Sequence, residues 1–118
     1  MGLTSVLVTI KSLDEKKKVS GEFLVDTGAS FTVVPEEMAK KLSLKKDRVQ
    51  RFSLADGSVM KRSLGFALVE LDGQKSPSPV VIGEKGDSPL LGALTLEGMG
   101  LLVDPFSRKL RPMKLMLG

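Results

Sequence analysis

Phe23-Leu24-Val25-Asp26-Thr27-Gly28-Ala29-Ser30 is the stretch that decides how this chain is read. Apolar residues of an extended segment run straight into small and polar ones, so a strand ends in a tight loop that opens on a carboxylate. A second apolar element, Pro89-Leu90-Leu91-Gly92, follows well downstream. Taken alone, Asp26 has two readings. It is a loop carboxylate accepting local backbone hydrogen bonds, a common use of Asp near Gly, or it is a catalytic acid or base.

Outward from that loop the pattern is mostly β. Residues 3–13 alternate loosely and are rich in β-branched types, Asp14 to Lys18 form a charged turn, and Val19 to Val25 return as the second strand of a hairpin. Phe31 to Val34 resume β character. Pro35 opens a short helix at its first helical position, where a missing N–H removes no bond. Glu36 and Glu37 suit the positive end of its dipole, Lys40 and Lys41 the negative end, and Met38 and Leu42 form its apolar stripe.

Arg51 to Ala55 and Val59 to Leu71 then flank Asp56-Gly57-Ser58, which predicts a hairpin with a type I′ turn. Asp72-Gly73 repeats the signal before an extended run from Pro79 to Ile82, with Ser76-Pro77-Ser78-Pro79 predicted as a loop. A helical turn is expected over Ala93 to Glu97, a strand at Leu101 to Val103, a turn from Asp104 to Lys109, and a last segment from Leu110 to Leu117. No long repeat is present. A single mostly β domain over residues 1–118, with one or two short helices, is the prediction.

Composition narrows the chemistry further. The 118 residues contain no Cys and no His, which excludes disulfides, thiolate nucleophiles, Ser-His-Asp triads and histidine metal sites. Catalysis must run on carboxylates, hydroxyls, Lys, Arg or a cofactor. The net charge of +4 is spread over Lys16-Lys17-Lys18, Lys40-Lys41, Lys45-Lys46 and the C-terminal region, and reads as a solvated surface. Nucleic-acid binding is not expected, because stacking aromatics are scarce: five Phe, no Trp, no Tyr. No apolar run approaches the ~20 residues of a membrane helix. The start lacks a signal-peptide pattern, and Val6 stands where a myristoylation motif needs Ser or Thr. A soluble cytoplasmic protein with no membrane partner is expected.

With the apolar strand before it, the Leu-Leu-Gly element after it and a chain of one-domain length, the Asp-Thr-Gly loop resembles that of retroviral-type aspartic proteases. These are single-domain, retropepsin-like enzymes, with cellular and prokaryotic members, that work as homodimers. The order of elements matches over roughly residues 3–112. The resemblance implies a closed acid-protease β-barrel, hydrolysis of a peptide or protein substrate, and neither cofactor nor metal. This chain offers one Asp-Thr-Gly, because Asp56-Gly57-Ser58 and Asp87-Ser88-Pro89 lack the pattern. The second carboxylate of a proton-sharing pair must therefore come from another copy of Asp26.

By the same resemblance Thr27 bonds across the dimer axis, while Gly28 lets the backbone approach the carboxylate and donate its N–H. Ala29, Ser30, Phe31, Leu90 and a flap tip of Ala55-Asp56-Gly57 contact substrate. Ser30 and Phe31 replace acidic residues that several retroviral enzymes use near the substrate backbone. Ala93-Leu94 replace the Arg and Asp or Asn that commonly brace the dimer. Residues 113–117 are expected to add to the interface, with strand pairing starting after Pro112 or on its solvent side. A non-catalytic dimerisation or peptide-binding module on the same fold is the alternative, since fold and function separate readily.

Overall fold

The computed structural model describes residues 4–104, 106–114 and 117. β1 (Thr4–Lys11) and β2 (Lys18–Val25) form the N-terminal hairpin, with Thr4 opposite Val25 and Lys11 opposite Lys18. Side chains alternate in and out of a strand, so this register places Val8, Ile10, Phe23 and Val25 together inside. At the turn, the Asp14 carboxylate accepts the Lys16 N–H at 3.0 Å and the Ser12 hydroxyl at 2.7 Å.

β3 (Thr32–Val34) leads into α1 (Glu36–Leu42). Pro35 precedes the helix as its N-cap, with extended ψ of 153°, and is not the first helical residue. The expected charge distribution holds, with Glu36 and Glu37 in the first turn and Lys40 and Lys41 in the last. Ser43 ends the helix in a left-handed conformation, and the Ser43 and Leu44 N–H groups bond back to the Lys40 and Ala39 carbonyls.

β4 (Arg48–Ser53) and β5 (Val59–Leu71) make the second hairpin, and β6 (Gln74–Ile82) pairs along β5. The two Asp-Gly turns differ. Asp72 and Gly73 both have positive φ, 51° and 80°, as a two-residue type I′ connection between Leu71 and Gln74 requires. At Asp56-Gly57 only Gly57 is left-handed, and its N–H bonds to the Leu54 carbonyl. The loop is therefore three residues long, a turn closed by a left-handed glycine rather than type I′.

Ser76-Pro77-Ser78-Pro79 is strand, not loop. β6 pairs with β3 only from Val80 onward. Pro77 and Pro79, at alternate positions, can turn their donorless nitrogens to the open side and break no ladder bond.

β7 (Leu90–Leu91) is followed by α2 (Ala93–Gly98), then by β8 (Leu101–Val103) and β9 (Leu110–Pro112), which pair as a separate two-stranded sheet. Pro112 lies opposite Leu101 within that intrachain pairing. Leu115 and Met116, part of the expected dimer segment, lie outside the described residues.

The main sheet runs β1-β2-β7-β3-β6-β5-β4, and β1 also pairs with β5 through Thr9–Lys11. Six strands thus close into a barrel, with β4 and the first half of β5 projecting from it as a hairpin. Phe23, Ile10, Leu91, Leu96, Val69 and Val80 are fully or almost fully buried at its centre, each contributing roughly 1.5–3 kcal/mol relative to exposure. Among the described residues no helix is long and apolar enough to cross a membrane.

Candidate active site

The Asp26–Phe31 loop is held at both ends by the same two residues. β7 is only Leu90 and Leu91, yet it lies between the end of β2 and β3: Leu90 pairs with Leu24 on one side and with Val33 on the other. The Asp26 N–H bonds to the Leu91 carbonyl at 3.0 Å, and the Leu24 N–H to the Pro89 carbonyl at 3.2 Å. Within the loop, Asp26 Oδ1 accepts the Gly28 N–H at 2.9 Å, and the Asp26 carbonyl accepts the Ala29 N–H at 3.1 Å. Asp26 is half-buried, and Thr27 and Gly28 are exposed.

Helix α2 closes the arrangement from beneath. The first amides of a helix have no partner inside it and need acceptors elsewhere. Here the Ala93 and Leu94 N–H groups donate to the carbonyls of Ala29 and Ser30, at 2.8 and 3.0 Å. These backbone bonds need no particular side chain, so Ala93-Leu94 support the loop within the chain without charged groups.

Gly92, between β7 and α2, is required by proximity. A Cβ there would lie 2.5 Å from both the carbonyl carbon and oxygen of Phe31. Its N–H donates to Thr32 Oγ1 at 3.0 Å, and that hydroxyl meets Thr95 Oγ1 at 2.6 Å. Ser78 Oγ extends the buried chain, 2.8 Å from Thr95 Oγ1. None of these three hydroxyl residues was singled out in the sequence. Isolated Thr and Ser in strands and short helices carry no local signal of a shared partner.

Above the loop lies a cavity of about 610 Å³ between residues 28–33, the β4–β5 hairpin and the segment before β7. Such a volume suits a ligand-binding cleft. Gly28, Ala29, Ser30, Phe31 and Leu90 line it. Asp26 and Thr27 sit next to that lining, and Ala55, Asp56 and Gly57 lie at the hairpin tip beyond it. The hairpin presents Gln50, Arg51, Phe52, Ser53, Leu54, Met60 and Arg62 to the cavity. On β4 both even- and odd-numbered residues border the cavity, so strand alternation alone does not pick out its lining. Phe31 and Phe52 meet edge to face, ring centres 5.9 Å apart, so the loop and the hairpin touch across the cavity.

Arg62 and Asp87 form its charged wall. Arg62 Nε and Nη2 donate to the two Asp87 carboxylate oxygens, at 2.7 and 3.0 Å. The Glu84 N–H adds a further bond to Asp87 Oδ2 at 2.8 Å. The Arg62 guanidinium, helped by that N–H, holds the Asp87 carboxyl below its ordinary range against the opposing effect of burial.

A family model for the putative aspartyl protease of gag polyproteins matches residues 15–97, more than half of the chain and including the Asp26 loop, the hairpin and the Leu90-Leu91-Gly92 element. This chain belongs to that family. As a gag-type aspartyl protease domain it also has the expected architecture: it superimposes on the solution structure of the protease of simian foamy virus (mac) with a TM-score of 0.57. That match covers 80% of this chain and 92% of the viral one at 16% sequence identity. The retropepsin-like fold is thus shared at a level where few residues are. No curated protein matches this aspartyl protease domain.

Proposed function

We propose that two copies of this chain assemble into an aspartic endopeptidase whose catalytic pair is Asp26 and its symmetry mate. The observation that carries this reading is the loop itself. A half-buried carboxylate accepts the Gly28 N–H, and its own backbone N–H is tied to the Leu91 carbonyl, at the edge of a largely apolar cavity of cleft size.

Two carboxylates facing each other at short range share one proton, because both cannot ionise comfortably. The ionised Asp26 takes a proton from a water molecule, and the oxygen of that water attacks the peptide carbonyl carbon. The protonated Asp26 gives its proton to the reacting peptide, and collapse of the tetrahedral intermediate breaks the C–N bond as the amine leaves protonated. Thr27, exposed beside Asp26, bonds across the two-fold axis and keeps the carboxyls coplanar. The β4–β5 hairpin acts as a flap over bound peptide, with Ala55-Asp56-Gly57 at its tip and Phe52, Met60 and Leu54 beneath. Ala29, Ser30, Phe31 and Leu90 contact the substrate from below.

The test is cleavage of a mixed peptide library from acidic to neutral pH, with and without pepstatin. Pepstatin-sensitive cleavage by the wild type, absent from Asp26→Asn, supports the assignment. Cleavage that persists in Asp26→Asn returns Asp26 to the role of a turn residue. Saturable peptide binding without any cleavage leaves a binding module on a protease fold.

A further inference from the structure

A second concavity lies elsewhere on the molecule and shares no lining residue with the cleft above Asp26. It measures about 590 Å³ and lies between the β1–β2 turn and the segment after α1, with Phe66 of β5 at its edge. Its walls carry Lys16 and Lys17 on one side and Lys45 and Lys46 on the other, all exposed. Two lysine pairs far apart in sequence therefore face one groove.

The groove is also apolar. Leu13 is 57% exposed and Phe66 49% exposed, with Leu42 and half-buried Leu44 between them. Its width is set by internal contacts. Lys17 Nζ donates to Ser43 Oγ at 2.7 Å, clipping one wall to the other. The Lys45 carbonyl packs so closely on β5 that a Cβ at Gly65 would lie 2.5 Å from it. Of the two carboxylates in the lining, Asp14 is turned back on its own turn, held by the Lys16 N–H and the Ser12 hydroxyl. Two carboxylates thus face four lysines, and the groove keeps a net positive charge.

We infer that this groove binds an acidic segment of polypeptide that also carries large apolar side chains. Carboxylates match the lysine walls, and apolar side chains cover Leu13 and Phe66. A nucleic acid would match the charge but not the surface, since Phe66 is the one aromatic ring lining the groove and stacking needs several. Occupancy here leaves the cleft above Asp26 open, so the groove can hold a partner, or a part of a substrate remote from the bond to be cut.

The experiment is fluorescence anisotropy with the full chain carrying Asp26→Asn, so that a peptide stays whole whether or not the wild type is a protease. The probe is a labelled peptide of alternating Glu and Leu, compared with its Gln-for-Glu counterpart and with a labelled single-stranded oligonucleotide. Saturable binding of the acidic peptide is expected, weaker by roughly tenfold for the Gln version and falling with added salt. Lys45→Glu with Lys46→Glu should weaken it by about tenfold as well, and Phe66→Ser by a similar factor. Lys16→Glu with Lys17→Glu tests the opposite wall, so the assignment stays decidable if one double variant misfolds. Equal affinity for the Glu and Gln peptides, unchanged affinity in the folded variants, tighter binding of the oligonucleotide, or no saturable binding each overturn it.

Discussion

Thr32 and Thr95 meet hydroxyl to hydroxyl at 2.6 Å across 63 residues of chain, with 0% and 1% of their surfaces exposed. One direction of donation leaves no proton idle. Thr32 donates to Thr95, Thr95 to Ser78, and Ser78 to the Pro79 carbonyl, while Thr32 accepts the Gly92 N–H. The chain of bonds joins β3, β6 and α2 directly under the Asp26 loop, and its position makes the loop sensitive to residues that never touch substrate.

Thr95→Val should therefore be more damaging than the loss of one oxygen suggests. It removes a donor and an acceptor from two neighbours that water cannot reach, a penalty of about 1–3 kcal/mol. Urea unfolding of the single variant checks this. Stability equal to wild type would mean that Thr32 and Ser78 find other partners.

Gly92→Ala should be worse for the site than for the rest of the barrel. The added methyl group meets the Phe31 carbonyl group and the Thr32 nitrogen, both backbone, so loop and β7 must move apart. Overpacking of this kind costs about 1–3 kcal/mol. Peptide cleavage should fall far more than the unfolding midpoint does. Gly73→Ala is a useful contrast, because its added methyl group meets no atom within 4 Å and only the positive φ of 80° opposes it.

The Arg62–Asp87 pair gives a pH dependence whose sign can be worked out. Asp87 is held below its ordinary value of 3.8 in the folded chain, so its contribution is present above that value. The contribution is lost as pH falls through the lower folded value. With 17% and 20% of the two side chains exposed, the charged hydrogen bonds are worth roughly 1.5–3 kcal/mol. Asp87→Asn should be less stable than wild type by that order at neutral pH, and the gap should close as pH falls below the ordinary carboxylate range. Urea midpoints across pH would show it, and a pH-independent gap would assign the loss to packing instead.

Dimerisation predicts a concentration dependence. One Asp26 per chain makes half a catalytic pair, so activity per mole should fall on dilution and sedimentation should show a monomer–dimer equilibrium. A strictly monomeric chain with undiminished cleavage is incompatible with the proposed pair.

Much of the barrel is legible in the residues. Val59–Leu71 and Leu101–Val103 are strands at the boundaries their pattern predicts, and the apolar alternation of β1 and β2 sets which side chains enter the core. Ser76 to Pro79 mislead, because two prolines and two serines locally resemble a loop. Only an unpaired side on β6 makes the prolines tolerable there. Asp56-Gly57 shows the same limit, since Asp-Gly fits more than one turn and the partner strand decides the loop length. Asp26 and Gly28 stand out because their motif is contiguous, and Leu90 because it belongs to a short Leu-Leu-Gly element of its own. Arg62, Asp87, Phe52 and the Thr32–Thr95–Ser78 hydroxyls do not, because each acquires its role from a residue on another strand or helix.

What the sequence determines by itself is local: where strands alternate, where a helix can start, which loop carries the carboxylate, and which chemistries are impossible without Cys or His. Side-chain period and backbone preference act over a few residues, and a reader of the sequence can follow them. Tertiary structure alone decides that Leu90 and Leu91 slot between β2 and β3, that α2 gives its free amides to the Asp26 loop, and that two distant lysine pairs border one groove. These contacts join segments tens of residues apart, and their energies depend on closing the barrel, which no short stretch of sequence encodes.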